Sequence, residues 1–263
     1  MSVNNNPYEL YKLLPQDNCG RCYLPSCMAF AVAVIRGDKR PGECPALEAA
    51  VRERLEAELQ PRRGLGDEQA EAAAELQARV AELDYAAVAP RVGARLQGRR
   101  LAIPSMGKDF YIEPDGRMSS ECHVNPWIMM PMLRYLLVCR GAEATGEWLP
   151  FAALTGGQAG APLFAKRCEE PLRRLADDYG DDFFDLLSMF GADESGDRVY
   201  IFHPLPLAPC QLAYQPQEEG LESNLRISFD RCVEANAIPE MLHFLGAGIA
   251  EMMEKILKRQ ASC

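Results

Sequence analysis

The chain has 263 residues, a formal net charge of -10, 48% apolar residues and 10 cysteines. An acidic chain without clustered Lys and Arg is poorly matched to a phosphate backbone, so nucleic acid is not an expected partner. The longest apolar run, Cys27 to Ile35, is far too short for a membrane span, and the first seven residues lack the basic start and apolar stretch of an export signal. No membrane insertion is expected, and the location expected is cytoplasmic. In that compartment ten cysteines are metal ligands or reduced thiols rather than a disulfide scaffold.

The N-terminal segment opens on Cys19-Gly20-Arg21-Cys22-Tyr23-Leu24-Pro25-Ser26-Cys27, followed after sixteen intervening residues by Cys44-Pro45. Three thiols within nine residues are expected to converge on one ion or cluster. A 4Fe-4S cube takes four thiolates, three from a short loop and the fourth from a more distant segment. Gly20 lets the backbone bend and present amides to sulfide where a side chain would crowd the cube. Ser26 is placed as an N-cap, so Cys27 opens an apolar helix that ends before Gly37 and shields one side of the site. The start of that helix favours negative charge. On spacing alone, a structural zinc site is the alternative, although zinc more often pairs two Cys-x-x-Cys knuckles and only one occurs here.

Residues 46–60 carry apolar positions at helical spacing, and Pro61 is expected to stop that helix. A second charged helix is predicted from Asp67 to Leu83, its Glu and Arg residues forming solvated faces. Arg100 to Ile112 alternates loosely and breaks at Glu113-Pro114-Asp115-Gly116, which predicts a hairpin or a pair of short strands. A helix is predicted over Asn125 to Arg140, with Asn125 as N-cap and Pro131 kinking it or delaying its start. Further helices are predicted over Pro162 to Tyr179, Asp182 to Phe190 and Ile238 to Lys258, with strands at Arg198 to His203 and Leu207 to Tyr214. The expected fold class is α+β, divided into a cluster-binding module (1–60), a helical connector (61–88) and a larger α+β domain (89–263).

Other sites are weaker. Cys122 and His123 are soft ligands that would need Cys139, Cys168, Cys210, Cys232 or His203 to complete a second metal site, and buried thiols are the simpler expectation. Thr155-Gly156-Gly157-Gln158-Ala159-Gly160 lacks the Gly-Lys-Ser/Thr ending of a P-loop and reads as a turn. Asp177, Asp178, Asp181 and Asp182 lack EF-hand spacing and read as helix caps. His203 and His243 are single histidines on apolar segments, and no catalytic triad is evident.

Asn18-Cys19-Gly20-Arg21-Cys22, Pro25-Ser26-Cys27, Phe30-Ala31, Gly37 and Cys44-Pro45 resemble the short 4Fe-4S module of the corrinoid iron-sulfur protein large subunit and of the B subunit of the Rnf electron-transport complex. The resemblance covers about the first fifth of the chain. It implies one 4Fe-4S cluster on Cys19, Cys22, Cys27 and Cys44, and a low-potential donor acting on a partner such as a corrinoid protein or a reductase. Tyr23 stands where that family usually has Gly. Trp148-Leu149-Pro150-Phe151, Leu154-Thr155-Gly156-Gly157, Leu205-Pro206-Leu207, Glu219-Gly220-Leu221-Glu222 and Phe229-Asp230 resemble a prokaryotic domain of unknown function that often follows this module, which supplies no activity. The leading expectation is a one-electron carrier or relay, because a cube on four thiolates changes charge with little rearrangement. The alternatives are an enzyme with its site in the C-terminal domain and the cluster as electron entry, or a binding protein stapled by its metal.

Overall fold

The computed structural model describes residues 6–58, 65–121 and 124–261. The chain forms two compact units, one up to residue 74 and one from residue 75 onward. Among the described residues no helix is long and apolar enough to cross a membrane.

The smaller unit is built from helices α1 (Pro7–Tyr11), α2 (Cys27–Arg36) and α3 (Ala49–Glu58), with a 3-10 turn at Pro41–Glu43. Each boundary has a local cause. Asn6 accepts from the Tyr8 amide to cap α1, Ser26 Oγ accepts from the Ala29 amide to cap α2, and Gly37 ends α2 in the left-handed region at φ +86°. Leu10, Leu14, Phe30, Ala31, Val34, Ile35, Leu47 and Leu55 form its core, together with Cys22, Cys27 and Cys44. The stop expected at Pro61 lies outside the described residues.

Helix α4 (Leu65–Ala81) is the second charged helix expected from the sequence. Its C-terminal turns are more than a solvated face, because Leu76 and Val80 are buried in the core of the larger unit. Helix α5 (Tyr85–Arg91) follows, capped by the Asp84 carboxylate, which accepts from the Ala86 amide.

Strands β1 (Arg95–Gln97), β2 (Arg100–Ser105), β3 (Lys108–Ile112) and β4 (Met118–Ser120) then form an antiparallel meander. The predicted break at Glu113 to Gly116 is real and joins β3 to β4, with the Gly116 amide donating to the Glu113 carbonyl at 2.8 Å. A tighter turn also lies inside the predicted segment. Met106 and Gly107 both have positive φ, which joins β2 to β3 through a two-residue hairpin.

Helix α6 (Pro126–Val138) begins after Asn125 and runs through Pro131. Beyond it come β5 (Trp148–Pro150), α7 (Ala161–Phe164), a π-helical segment (Ala165–Glu169), α8 (Glu170–Tyr179) and α9 (Asp181–Met189). The remaining strands are β6 (Asp193–Gly196), β7 (Val199–Leu205), β8 (Ala208–Gln215) and β9 (Asn224–Asp230), followed by α10 (Val233–Asn236) and α11 (Pro239–Gln260). The second sheet is antiparallel in the order β5-β9-β8-β7-β6. The two sheets meet where Ser105 Oγ donates to the Pro204 carbonyl at 2.7 Å and the Met106 amide donates to the His203 carbonyl at 3.1 Å.

Helix α11 closes the core with glycines at its tightest contacts. A Cβ on Gly248 would lie 2.3 Å from the Trp127 ring of α6, and one on Gly246 would lie 3.0 Å from Cys168 Sγ. The overall class is α+β, as expected, with the helical module ahead of two sheets.

Candidate metal centre

The loop from Gln16 to Tyr23 turns sharply. Gln16, Asn18, Gly20 and Tyr23 all have positive φ, and only one of them is glycine. Side chains hold this shape. Asn18 Oδ1 accepts from the Cys27 amide at 2.8 Å, and Asp17 Oδ1 accepts from the Cys19 amide at 3.3 Å and from the Cys27 thiol at 3.8 Å. Asn18 was legible as part of the motif, whereas the anchoring role of Asp17 and Asn18 was not. Its only signal is an Asp-Asn pair before the first cysteine, a pattern common to Asx turns.

Cys22, Cys27 and Cys44 are buried, and Cys19 is exposed. Burial pushes the Cys44 thiol up, and the neighbouring thiols of Cys22, Cys19 and Cys27 push it the same way, against a lowering bond from the Ala46 amide. Cys44 therefore senses each of the other three cysteines. Cys27 sits at the first position of the ten-residue α2, at the positive end of the helix dipole. A Cβ on Gly20 would meet no protein atom within 4 Å, so the space beside this φ +69° turn is open.

Among the described residues no three His, Cys, Asp or Glu side chains close on a point as ligands of a single ion do. The corner thiolates of a cube stand farther apart, because iron and sulfide lie between them. Four thiols, with no His or carboxylate among the expected ligands, are the donor set that iron-sulfur clusters take, so these residues fit such a group.

The other sequence candidates fall elsewhere. Cys122 and His123 lie outside the described residues. Cys139 and Cys232 both reach Asn236, and Cys139 Sγ lies 3.5 Å from its Oδ1. Burial, reinforced by Asp230, pushes Cys232 up to about 12. Burial likewise takes Cys168 to about 12 and raises Cys210. The thiols of Cys168, Cys210 and Cys232 stay protonated and behave as packing.

The Thr155 to Gly160 segment is a turn. Its amides at Thr155, Gly157 and Gly160 donate to Glu234, to the Leu154 carbonyl and to the Gly157 carbonyl. Asp177 accepts from Tyr214, Ser223 and Arg173, while Asp181 and Asp182 occupy the first turn of α9. The His203 side chain is exposed. Burial and the charge of Arg167 lower the pKa of His243, which stacks edge-on to Phe164.

Sequence comparisons place the four-cysteine module at the head of this α+β chain among iron-sulfur proteins. The chain belongs to the family described as "Domain of unknown function (DUF3786)", whose model matches residues 84–252. Residues 14–46 match the family described as "Putative Fe-S cluster". Over 43 residues, 16% of this chain, it is 51% identical to the acetyl-CoA decarbonylase/synthase complex subunit gamma 1 of Methanosarcina thermophila. Over 53 residues, 20% of this chain, it is 43% identical to the corrinoid/iron-sulfur protein large subunit of Moorella thermoacetica. These stretches span 9% and 12% of the respective relatives, so the likeness is confined to the module. No solved structure matches.

Proposed function

We propose that Cys19, Cys22, Cys27 and Cys44 hold one 4Fe-4S cluster and that the chain carries or relays single electrons to a protein partner. What supports this reading is the four-cysteine motif, which is shared with corrinoid iron-sulfur and acetyl-CoA decarbonylase/synthase subunits and lies in one small unit with three of its cysteines buried. When bound, the cluster supplies a one-electron couple with small reorganisation.

The chain's own residues do the rest. Phe30, Ala31 and Val34 present an apolar, water-excluding core beside Cys27, and exclusion of water is one of the levers on cluster potential. Asp17 and Asn18 fix the loop, so the thiols are positioned by the fold. The exposed Cys19 marks the side where the site meets solvent. In this reading the module is a cytoplasmic donor to a corrinoid protein or a reductase, and the larger domain recognises what is reduced.

Anaerobic redox titration followed by electron paramagnetic resonance tests the proposal. A signal that appears on one-electron reduction at low potential is expected. A protein with iron bound but silent across that range contradicts electron transfer.

A further inference from the structure

Tyr23 is the most conspicuous side chain of the module. It is 93% exposed and adopts φ +62°, a conformation that is unusual for a bulky residue. Its amide donates to the Gly20 carbonyl at 2.9 Å, so the turn itself is well formed, but a glycine would make the same turn without strain. Neither burial nor, among the described residues, a side-chain hydrogen bond compensates for the strained backbone. An aromatic ring held in solvent on a strained turn is explained by contact with another molecule.

The neighbourhood indicates what kind. Tyr23 follows Cys22 directly, and the exposed Cys19 lies four residues earlier on the same loop. Between the two cysteines stands Arg21, exposed and in no ion pair among the described residues. The carboxylate of Asp17 is engaged with Cys19 and Cys27. Up to residue 47 the chain carries five basic residues against four acidic ones, a net +1, which leaves -11 on the rest of the chain. This stretch thus lacks the acidity of the chain as a whole.

From these features we infer that the Cys19–Tyr23 edge is the docking face for an acidic electron-carrier protein, with the Tyr23 ring as the contact anchor and Arg21 as its charge partner. This rests on the electron-carrier reading above. A partner seated there would lie against the exposed cysteine, which is the shortest way for an electron to leave or enter. Arg21 would steer the encounter, and the ring would fix its geometry.

The test uses the full chain with its cluster reconstituted anaerobically, and a strongly acidic two-cluster ferredoxin as the probe. Tyr23→Gly removes the ring and relieves the backbone, Tyr23→Phe keeps the ring, and Arg21→Glu reverses the charge. Affinity for the ferredoxin and the rate of reduction by it are measured at low and high salt. Iron content and the spectrum of the dithionite-reduced protein are recorded alongside.

Tyr23→Gly and Arg21→Glu are expected to weaken binding roughly tenfold, with high salt weakening wild type but not Arg21→Glu, while Tyr23→Phe stays near wild type. Iron content and the dithionite-reduced spectrum should match wild type in every variant. A wild-type protein that does not bind the ferredoxin, or variants that bind as well as wild type, overturns the docking face and leaves the electron-carrier reading standing. Loss of iron in Tyr23→Gly assigns Tyr23 to holding the loop and also overturns it. A wild-type cluster that dithionite cannot reduce overturns the carrier reading itself, and the docking face with it.

Discussion

Replacing Asp230 with asparagine removes the most heavily engaged carboxylate of the larger unit. Asp230 is 1% exposed and ends the interior strand β9, opposite Trp148. Its oxygens accept from the amides of Cys232 at 2.8 Å, Thr145 at 3.0 Å and Gly146 at 2.6 Å, and from Thr145 Oγ1 at 3.1 Å. Burial would raise its pKa, but these donors outweigh burial and hold the carboxyl at about 2, down from 3.8. Asparagine keeps one acceptor and turns an NH2 group toward N–H donors.

Loss of the charge-assisted bonds is expected to cost about 3 kcal/mol at neutral pH. About 2 kcal/mol of that is linked to protons, since each unit of pKa shift corresponds to about 1.4 kcal/mol. Because the folded value is depressed, this part is fully present above the unfolded pKa and is lost as pH falls through the folded one. The gap between wild type and variant should therefore hold constant down to about pH 5 and narrow by about 1 kcal/mol by about pH 3. Urea unfolding followed by tryptophan fluorescence reads it out. The chain's two tryptophans, Trp127 and Trp148, both lie in the larger unit and report on it alone. A difference below about 1 kcal/mol, or one that stays flat into acid, refutes the reasoning.

Three further outcomes follow from the same coordinates. In Gly157→Ala the new Cβ would lie 2.1 Å from the Phe151 carbonyl oxygen, so a loss of at least about 3 kcal/mol, seen as a clearly lowered melting temperature, is expected. An unchanged melting temperature would show that the turn can move. Tyr135→Phe strands the Val92 carbonyl, which accepts from the hydroxyl at 3.0 Å, and the Leu207 amide, which donates to it at 3.1 Å. Val92 is buried and Leu207 half-buried, and the expected loss of about 1–3 kcal/mol should appear in the urea midpoint. Ser26→Ala deletes the α2 cap beside Cys27, at a cost of about 1 kcal/mol, and should hasten iron loss to a chelator. Equal rates for variant and wild type would detach that cap from the site.

The module was the most legible part of the chain, because its signals are local: cysteine spacing, a capping serine and a terminating glycine each act within a few residues. Of the long helices, α11 was legible from apolar periodicity, α6 from its Asn125-Pro126 start and α4 from its charged, alanine-rich run. The sheets were less so. Strand β9 sits between β5 and β8, and Leu225, Ile227 and Phe229 alternate inward along it, yet it was not predicted as a strand. Strand β6, Asp193–Gly196, is wholly exposed and carries no apolar pattern, so only pairing with β7 defines it. The hairpin at Met106-Gly107 has no Asn-Gly signal and depends on Met106 accepting a left-handed φ. Burial of Leu76 and Val80 is set by contacts distant in sequence, and the surrounding Glu and Ala residues concealed it.

The central claim is that four cysteines hold one iron-sulfur cube. Iron, zinc and acid-labile sulfide measured on protein purified without oxygen, for wild type and for Cys44→Ala, address it most directly. Four iron and four sulfide per wild-type chain, a broad visible absorbance that bleaches with dithionite, and marked loss of both elements in the variant are expected. One zinc per chain with neither iron nor sulfide would contradict it.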